Sequence, residues 1–285
     1  MSLGLGEDEV GPVAKLRGRL WLGELSMKIA RFEYRNEIRQ GVVEGEQVEL
    51  MALSGAARTG EVVRLGDVKL LTPVCPPNVI AIGLNYHQHA SETKMELPDH
   101  PLIFLKATTS VTGPGDPIIL PHMAPREVDY EAELCIVIGR TARNVSEEDA
   151  LDYVMGYTCG NDVSARDCQI RLDGQWARGK SFDTFCPLGP WIETKLDPDN
   201  APVRSLLNGK VMQEGSTRDL IFNCRQLVSY LSHNLTLLPG TVIMTGTPEG
   251  VGFVRRPPVF LQPGDVIEIE IEGIGLLRNE VQLEV

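Results

Sequence analysis

Glu127-Val-Asp-Tyr-Glu-Ala-Glu-Leu-Cys-Ile-Val-Ile138 carries four carboxylates and then five apolar residues in a row. Read as one strand, it sets Asp129, Glu131 and Glu133 on a single face, because side chains two apart point the same way with alpha carbons roughly 6.6 Å apart. Glu131 and Glu133 can then converge on one hard cation. The alternative is a half-solvated edge strand whose acids face water. The chain holds its own control: Asp265-Val-Ile-Glu-Ile-Glu-Ile-Glu272 alternates Ile with Glu at the same spacing, so spacing alone does not separate the two. The later strand alternates cleanly, as a strand with one wet face does, whereas Leu134 to Ile138 is apolar on both faces, the pattern of a doubly buried strand.

The 285 residues, 42% of them hydrophobic, are enough to bury a sizeable core as one large domain or one plus a small appendage. The 27 Lys and Arg against 39 Asp and Glu give a net charge of −12, and no basic cluster interrupts this, which argues against a nucleic-acid surface. No apolar run approaches the roughly 18 residues that span a bilayer, and the first residues lack a basic start followed by an apolar segment. The expectation is a cytoplasmic protein with small-molecule or protein partners. The six cysteines are scattered without a C-x-x-C pair, and read as reduced core residues rather than ligands or disulfides.

Outward from the central stretch, residues 1–26 fit no clear period and read as an extension. Residues 27–73 hold short alternating pieces (Lys28 to Tyr34, Arg39 to Glu44, Gln47 to Leu50, Val68 to Leu70) separated by glycine, a small N-terminal β domain. The punctuation Pro73-Val-Cys-Pro-Pro77 starts a third segment, 74–285. There Val79 to Gly83 reads as a buried strand leading into His89 and Glu92, which are three apart. On a helix such a pair shares a face, so the carboxylate can brace the imidazole as a base, or the two are neighbours on a wet surface. Leu102 to Lys106 is an apolar strand whose terminal lysine can snorkel outward. Ser146 to Val154 reads as a capped helix, and Asn223 to Leu235 as a second. Asp162 is a third oxygen ligand if Glu131 and Glu133 hold a cation, and Lys180 sits in an apolar neighbourhood that demands a partner. The loop Thr245-Gly-Thr-Pro-Glu-Gly-Val-Gly252 can offer N–H groups and the Thr247 hydroxyl to an anion, but lacks the lysine of a phosphate loop.

Taken in order, GLNYHQHASE, FLKATTS, GPGDPI, DYEAEL, NDVSARDCQ, KSFDTFCPLGP, NGKVMQEGSTRDLIF and TGTPEGVG resemble the fumarylacetoacetate hydrolase family from about residue 74 to the C-terminus. The resemblance implies an α+β, mainly β fold, a mixed β-roll or sandwich preceded by a small N-terminal β domain, and a homodimer. It implies Glu131, Glu133 and Asp162 as ligands of Mg2+ or Mn2+, with Asp129 outside that set. His89 and Glu92 become the catalytic dyad on a mobile lid, with Lys180 beside the metal. Arg166, Gln169 and Thr247 would hold the carboxylate and carbonyl oxygens of a substrate in a cavity that Lys106 also lines. Ala107 departs from the proline that often follows this lysine.

The activity so implied is metal-dependent C–C hydrolysis or decarboxylation of a small 2-keto acid of the acylpyruvate, fumarylpyruvate or oxaloacetate type, through an enolate stabilised by the cation. The alternatives are a 2-hydroxyhepta-2,4-diene-1,7-dioate isomerase of aromatic catabolism and, in another class, a metal-stabilised binding protein without turnover.

Overall fold

The computed structural model describes residues 26–52, 57–124, 126–172 and 174–285. The 1–26 extension therefore lies, up to residue 25, outside the described residues. As expected, the chain is mainly β.

A large mixed sheet runs in the order Arg58–Arg64, Gln47–Met51, Glu37–Glu44, Lys28–Tyr34, Cys186–Glu193, Val154–Asn161, Ala132–Ile138, Val242–Met244, Val79–Gly83 and Leu102–Lys106. The N-terminal strands are a meander, as their alternation predicts, and Lys28–Tyr34 continues it into the main sheet by pairing antiparallel with Cys186–Glu193. A second sheet of five strands, Lys210–Ser216, Pro202–Leu207, Val266–Ile271, Gly275–Leu283 and Ile118–Leu120, packs across it.

Ala132–Ile138 is buried at every position. Leu134, Ile136 and Ile138 face a core shared with Ile267, Ile269 and Ile271 of the second sheet, while Cys135 and Val137 face the other way, onto Val79, Ala81, Val242 and Met244. Each such aliphatic side chain contributes about 1.5–3 kcal/mol by leaving water, so this strand pins the two layers together. The control strand behaves as its alternation predicts. Ile267, Ile269 and Ile271 are buried, while Glu268 and Glu270 face outward toward Arg278 and Arg204.

Two expectations are corrected. Residues 127–138 are not one strand: Val128–Asp129 pairs with Ser164–Ala165 in a separate ribbon, and the main-sheet strand starts at Ala132. The break arises because side chains take the backbone donors in between. Asp129 accepts from the Tyr130 amide at 2.9 Å, Asn161 from that of Glu131 at 3.0 Å, and Gln213 from that of Ala132 at 3.0 Å. The helix expected over Ser146 to Val154 is a turn and a short 3-10 segment, Ala150–Tyr153, ending in the strand Val154–Asn161. Ser146 does accept the Asp149 amide at 3.2 Å, but Gly139 and Arg140 both claim the Tyr153 carbonyl, which diverts the chain into the sheet. The helix Cys224–Asn234 forms as expected, with a capping box between Asn223 and Gln226.

Candidate active site

The open ends of Ala132–Ile138, Val154–Asn161 and Val242–Met244 meet at one edge, and the loops leaving them enclose a cavity of about 400 Å3. Eight of the ten residues singled out above line it: His89, Glu131, Glu133, Asp162, Arg166, Gln169, Lys180 and Thr247. The remaining two stand behind them. Glu92 backs His89, with Oε2 at 3.3 Å from Nδ1. Lys106 does not snorkel out: it is buried beneath the cavity, donating to Asp162 Oδ1 and to the Phe185 carbonyl at 2.9 Å. Of its strand, Phe104 faces the cavity.

Glu131, Glu133 and Asp162 are buried, and their carboxylate oxygens come within 4.8 Å of one another. Each has a different electrostatic setting. Asp162 gives one oxygen to Lys106 and the other to Lys180, the latter at 2.5 Å. Glu131 accepts from Lys180 and pairs with Arg166, both at 2.8 Å. Burial pushes the Glu131 pKa up, but Lys180 and Arg166 outweigh it and hold the group down to about 2. Glu133 has no ion pair among the described residues, only the Gly246 amide at 2.8 Å. Burial, with Asp162 and Glu131 alongside, raises its pKa well above the usual range. Lys180, although burial works the other way, is held protonated by Asp162 and Glu131.

Counting Asp129, four carboxylates here face three cations, Lys106, Lys180 and Arg166, which leaves one negative charge in excess once Glu133 gives up its proton. The donors at the triad are all oxygen, and with that excess they fit a hard divalent cation.

Arg166 is more heavily engaged than the sequence suggests. Its Nε and Nη2 donate to Asp129 Oδ2 at 2.9 and 2.8 Å, its Nη1 donates to Gln169 Oε1 at 2.9 Å, and its guanidinium lies 4.3 Å from the Phe253 ring centroid. With Glu131 also taking a hydrogen, one Nη1 hydrogen of its five remains for a ligand. Gln169 is carried to the cavity on the wide π-helical turn Asp167–Leu172, a local form frequent at functional sites.

The glycine-rich loop is a further correction. It does present N–H groups to anions, but the anions are the protein's own: Gly246 binds Glu133, Gly250 binds Glu92 at 3.0 Å, and Gly252 and Phe253 bind Asp129 at 2.8 and 3.0 Å. Gly246 has φ of 100°, and a Cβ there would meet the Asn85 Cβ at 2.8 Å, so the residue is confined to glycine. The short helix His87–Thr93 is docked through three contacts: Glu92 on Gly250, Asp219 on the Gln88 amide at 2.9 Å, and the bridge between Tyr86 and Leu220. Sequence reasoning missed Gln213, Phe253 and Trp176. Only Gln213 carried a signal, a glutamine between strand-forming residues at a position that proves buried.

The mixed β fold and the buried carboxylate triad at the sheet edge are those of an enzyme of the fumarylacetoacetate hydrolase family, to which this chain belongs. Residues 78–282 match the model of the fumarylacetoacetate (FAA) hydrolase C-terminal domain, and residues 27–73 match an Rv2993c-like N-terminal domain. Among its relatives, a Dictyostelium discoideum fumarylacetoacetate hydrolase domain-containing protein is 50% identical over 77% of this chain and 76% of its own length. A Xenopus laevis mitochondrial protein named oxaloacetate tautomerase is 43% identical over 86% of this chain and 78% of its own. The crystal structure of a 5-carboxymethyl-2-hydroxymuconate delta-isomerase from Mycobacterium smegmatis superimposes with a TM-score of 0.82 at 43% identity, covering 90% of this chain and all of that one. The chain is thus an enzyme of this family, with relatives that act on small organic acids. No helix among the described residues is long and apolar enough to cross a membrane.

Proposed function

We propose that the protein is a Mg2+- or Mn2+-dependent enzyme that interconverts the enol and keto forms of a small 2-keto acid of the oxaloacetate type. The observation that carries this reading is the buried triad Glu131, Glu133 and Asp162, short of one positive charge, in the same cavity as the His89–Glu92 pair. When bound at the triad, a hard divalent cation supplies Lewis acidity that lowers the cost of enolate charge.

The remaining roles fall to the chain's own residues. The free Nη1 hydrogen of Arg166, the Gln169 amide and the Thr247 hydroxyl hold the carboxylate and keto oxygens. His89, braced by Glu92, carries the proton between carbon and oxygen. Lys180, held protonated, adds positive charge beside the developing enolate and is not the base. One relative, from Xenopus laevis, is named an oxaloacetate tautomerase and one solved structure, from Mycobacterium smegmatis, a delta-isomerase, which supports reading isomerisation ahead of hydrolysis and decarboxylation.

Hydrolysis of acylpyruvates is the second reading, favoured by the 3.3 Å His89–Glu92 contact, since a braced imidazole also deprotonates water. A homodimer belongs to the same proposal, and so does a reducing compartment, the cytoplasm, the latter supported by free cysteines of which all but Cys75 are buried. The test is to incubate the Mg2+-loaded protein with enol-oxaloacetate, acylpyruvates, fumarylpyruvate and the heptadienedioate. Faster loss of the enol absorbance of oxaloacetate is the expected result. Pyruvate release from an acylpyruvate without enol conversion would favour hydrolysis, and no turnover of any compound would leave a binding protein.

A further inference from the structure

Gln213 is 1% exposed and does not itself line the cavity, yet its carboxamide joins the strand of the acid triad, the glycine-rich loop and the second sheet. Its Oε1 accepts from the Ala132 amide and from the Ser205 hydroxyl, both at 3.0 Å. Its Nε2 donates to Thr247 Oγ1 at 2.7 Å and to the Pro248 carbonyl at 2.9 Å. Two of these partners leave no choice: a peptide N–H only donates and a peptide carbonyl only accepts. The amide orientation is therefore determined by Ala132 and Pro248, and Thr247 Oγ1 must accept from Nε2. An acceptor hydroxyl keeps its own hydrogen for another partner, and no protein acceptor among the described residues takes it. Thr247 lines the cavity, so the hydrogen is directed there.

We propose that Gln213 is a positioning residue that polarises Thr247 into an obligate hydrogen-bond donor toward the cavity. The subsite at Thr247 then accepts a carboxylate, keto or enolate oxygen and discriminates against an ammonium group, which can only donate. Ala132 stands between Glu131 and Glu133, so the same carboxamide couples the height of the acid triad to the position of Thr247. This rests on the reading of Thr247 as a substrate-holding residue.

The test exploits a change that keeps shape and reverses polarity. Gln213→Glu retains an oxygen for Ala132 and Ser205, but the other oxygen can no longer donate. Thr247 must then turn its hydrogen onto that oxygen, away from the cavity. A hydrogen bond to a charged oxygen carries about a 10- to 100-fold effect on affinity. The KM for enol-oxaloacetate should rise by that factor in Gln213→Glu and in Thr247→Val, with kcat changing less, while Thr247→Ser, which keeps the hydroxyl, should lose less than Thr247→Val.

The double variant should bind no worse than Thr247→Val alone, because the two act through one hydroxyl. Calorimetric titration with oxaloacetate reads the same order in a chain that binds without turnover, and thermal melting checks that each variant folds. If Gln213→Glu melts too low to assay, Gln213→Met removes the donor without adding charge and should give the same non-additivity. An unchanged affinity in Thr247→Val would sink the substrate-holding role and the inference with it. Impaired Thr247→Val with unaffected Gln213→Glu, or penalties that multiply in the double variant, would overturn the inference alone.

Discussion

Glu133→Gln and Asp162→Asn remove one negative charge each from the same triad, yet their effects on stability should have opposite signs when no divalent cation is bound. Among the described residues Asp162 is the only carboxylate on Lys106, whose side chain is fully buried, and it shares Lys180 with Glu131. Neutralising it strands a buried ammonium, a loss of about 3–5 kcal/mol. At about 2–4 °C per kcal/mol for chains approaching this size, the melting temperature should fall by roughly 10 °C. Glu133 has no cation of its own and sits within 4.8 Å of two like charges. At an effective dielectric near 20 each such pair costs about 3.5 kcal/mol, part of it offset by Lys180 and by proton uptake. Gln keeps the acceptor for Gly246, so the exchange should leave the cation-free protein more stable by about 1–3 kcal/mol, within the gain seen when a buried charge is removed without stranding a partner.

The pH dependence follows with the same signs. Glu133, with its folded pKa raised, contributes stability present at low pH that is lost as pH rises through that folded value, so the advantage of Glu133→Gln grows with pH. Glu131 works the other way: its contribution is present above 4.5 and is lost as pH falls toward about 2. Denaturation with EDTA present gives the stabilities, and calorimetric titration with Mn2+ gives the binding, which both substitutions should weaken. A loss of stability in Glu133→Gln matching that in Asp162→Asn would refute the charge accounting.

Three further outcomes are expected. His89→Ala should slow turnover of the preferred substrate by about 10²- to 10⁴-fold with Mn2+ affinity retained, and Glu92→Gln should act in the same direction more mildly; wild-type rates in both would return the pair to a mere surface contact. Glu270→Gln, on the control strand, breaks only a half-exposed pair with Arg204, so it should change stability by no more than about 1 kcal/mol and leave Mn2+ binding untouched, as read by the same titration. A thiol reagent should label only Cys75 in the native protein and all six cysteines after denaturation, since burial pushes the Cys186 thiol up to about 12 and raises those of Cys135, Cys159 and Cys224; labelling of a second native thiol would contradict the packing of the sheet.

Some of this could be read without coordinates because it is local. Periodicity separates the doubly buried Leu134 to Ile138 from the one-sided strand at 266–271, since burial of one or both faces is written in alternation. The capped helix at 224–234 and most of the N-terminal meander are legible for the same reason, although the strand Arg58–Arg64, exposed at nearly every position, left too little apolar pattern to find. Residue types and spacing also select Glu131, Glu133, Asp162, His89 and Lys180 as the groups with chemistry to do. Which donor meets which acceptor is another matter, because it depends on residues far apart in the chain. Only the tertiary structure splits 127–138 at Tyr130, since Asn161 and Gln213 take the amides that a continuous strand would pair. It alone turns the amides of the glycine loop onto Glu133, Glu92 and Asp129, and buries Lys106 beneath Asp162 rather than in solvent. Hydrogen bonding and charge in a low-dielectric interior are decided by three-dimensional neighbours, whereas hydrophobic alternation is decided by neighbours along the chain.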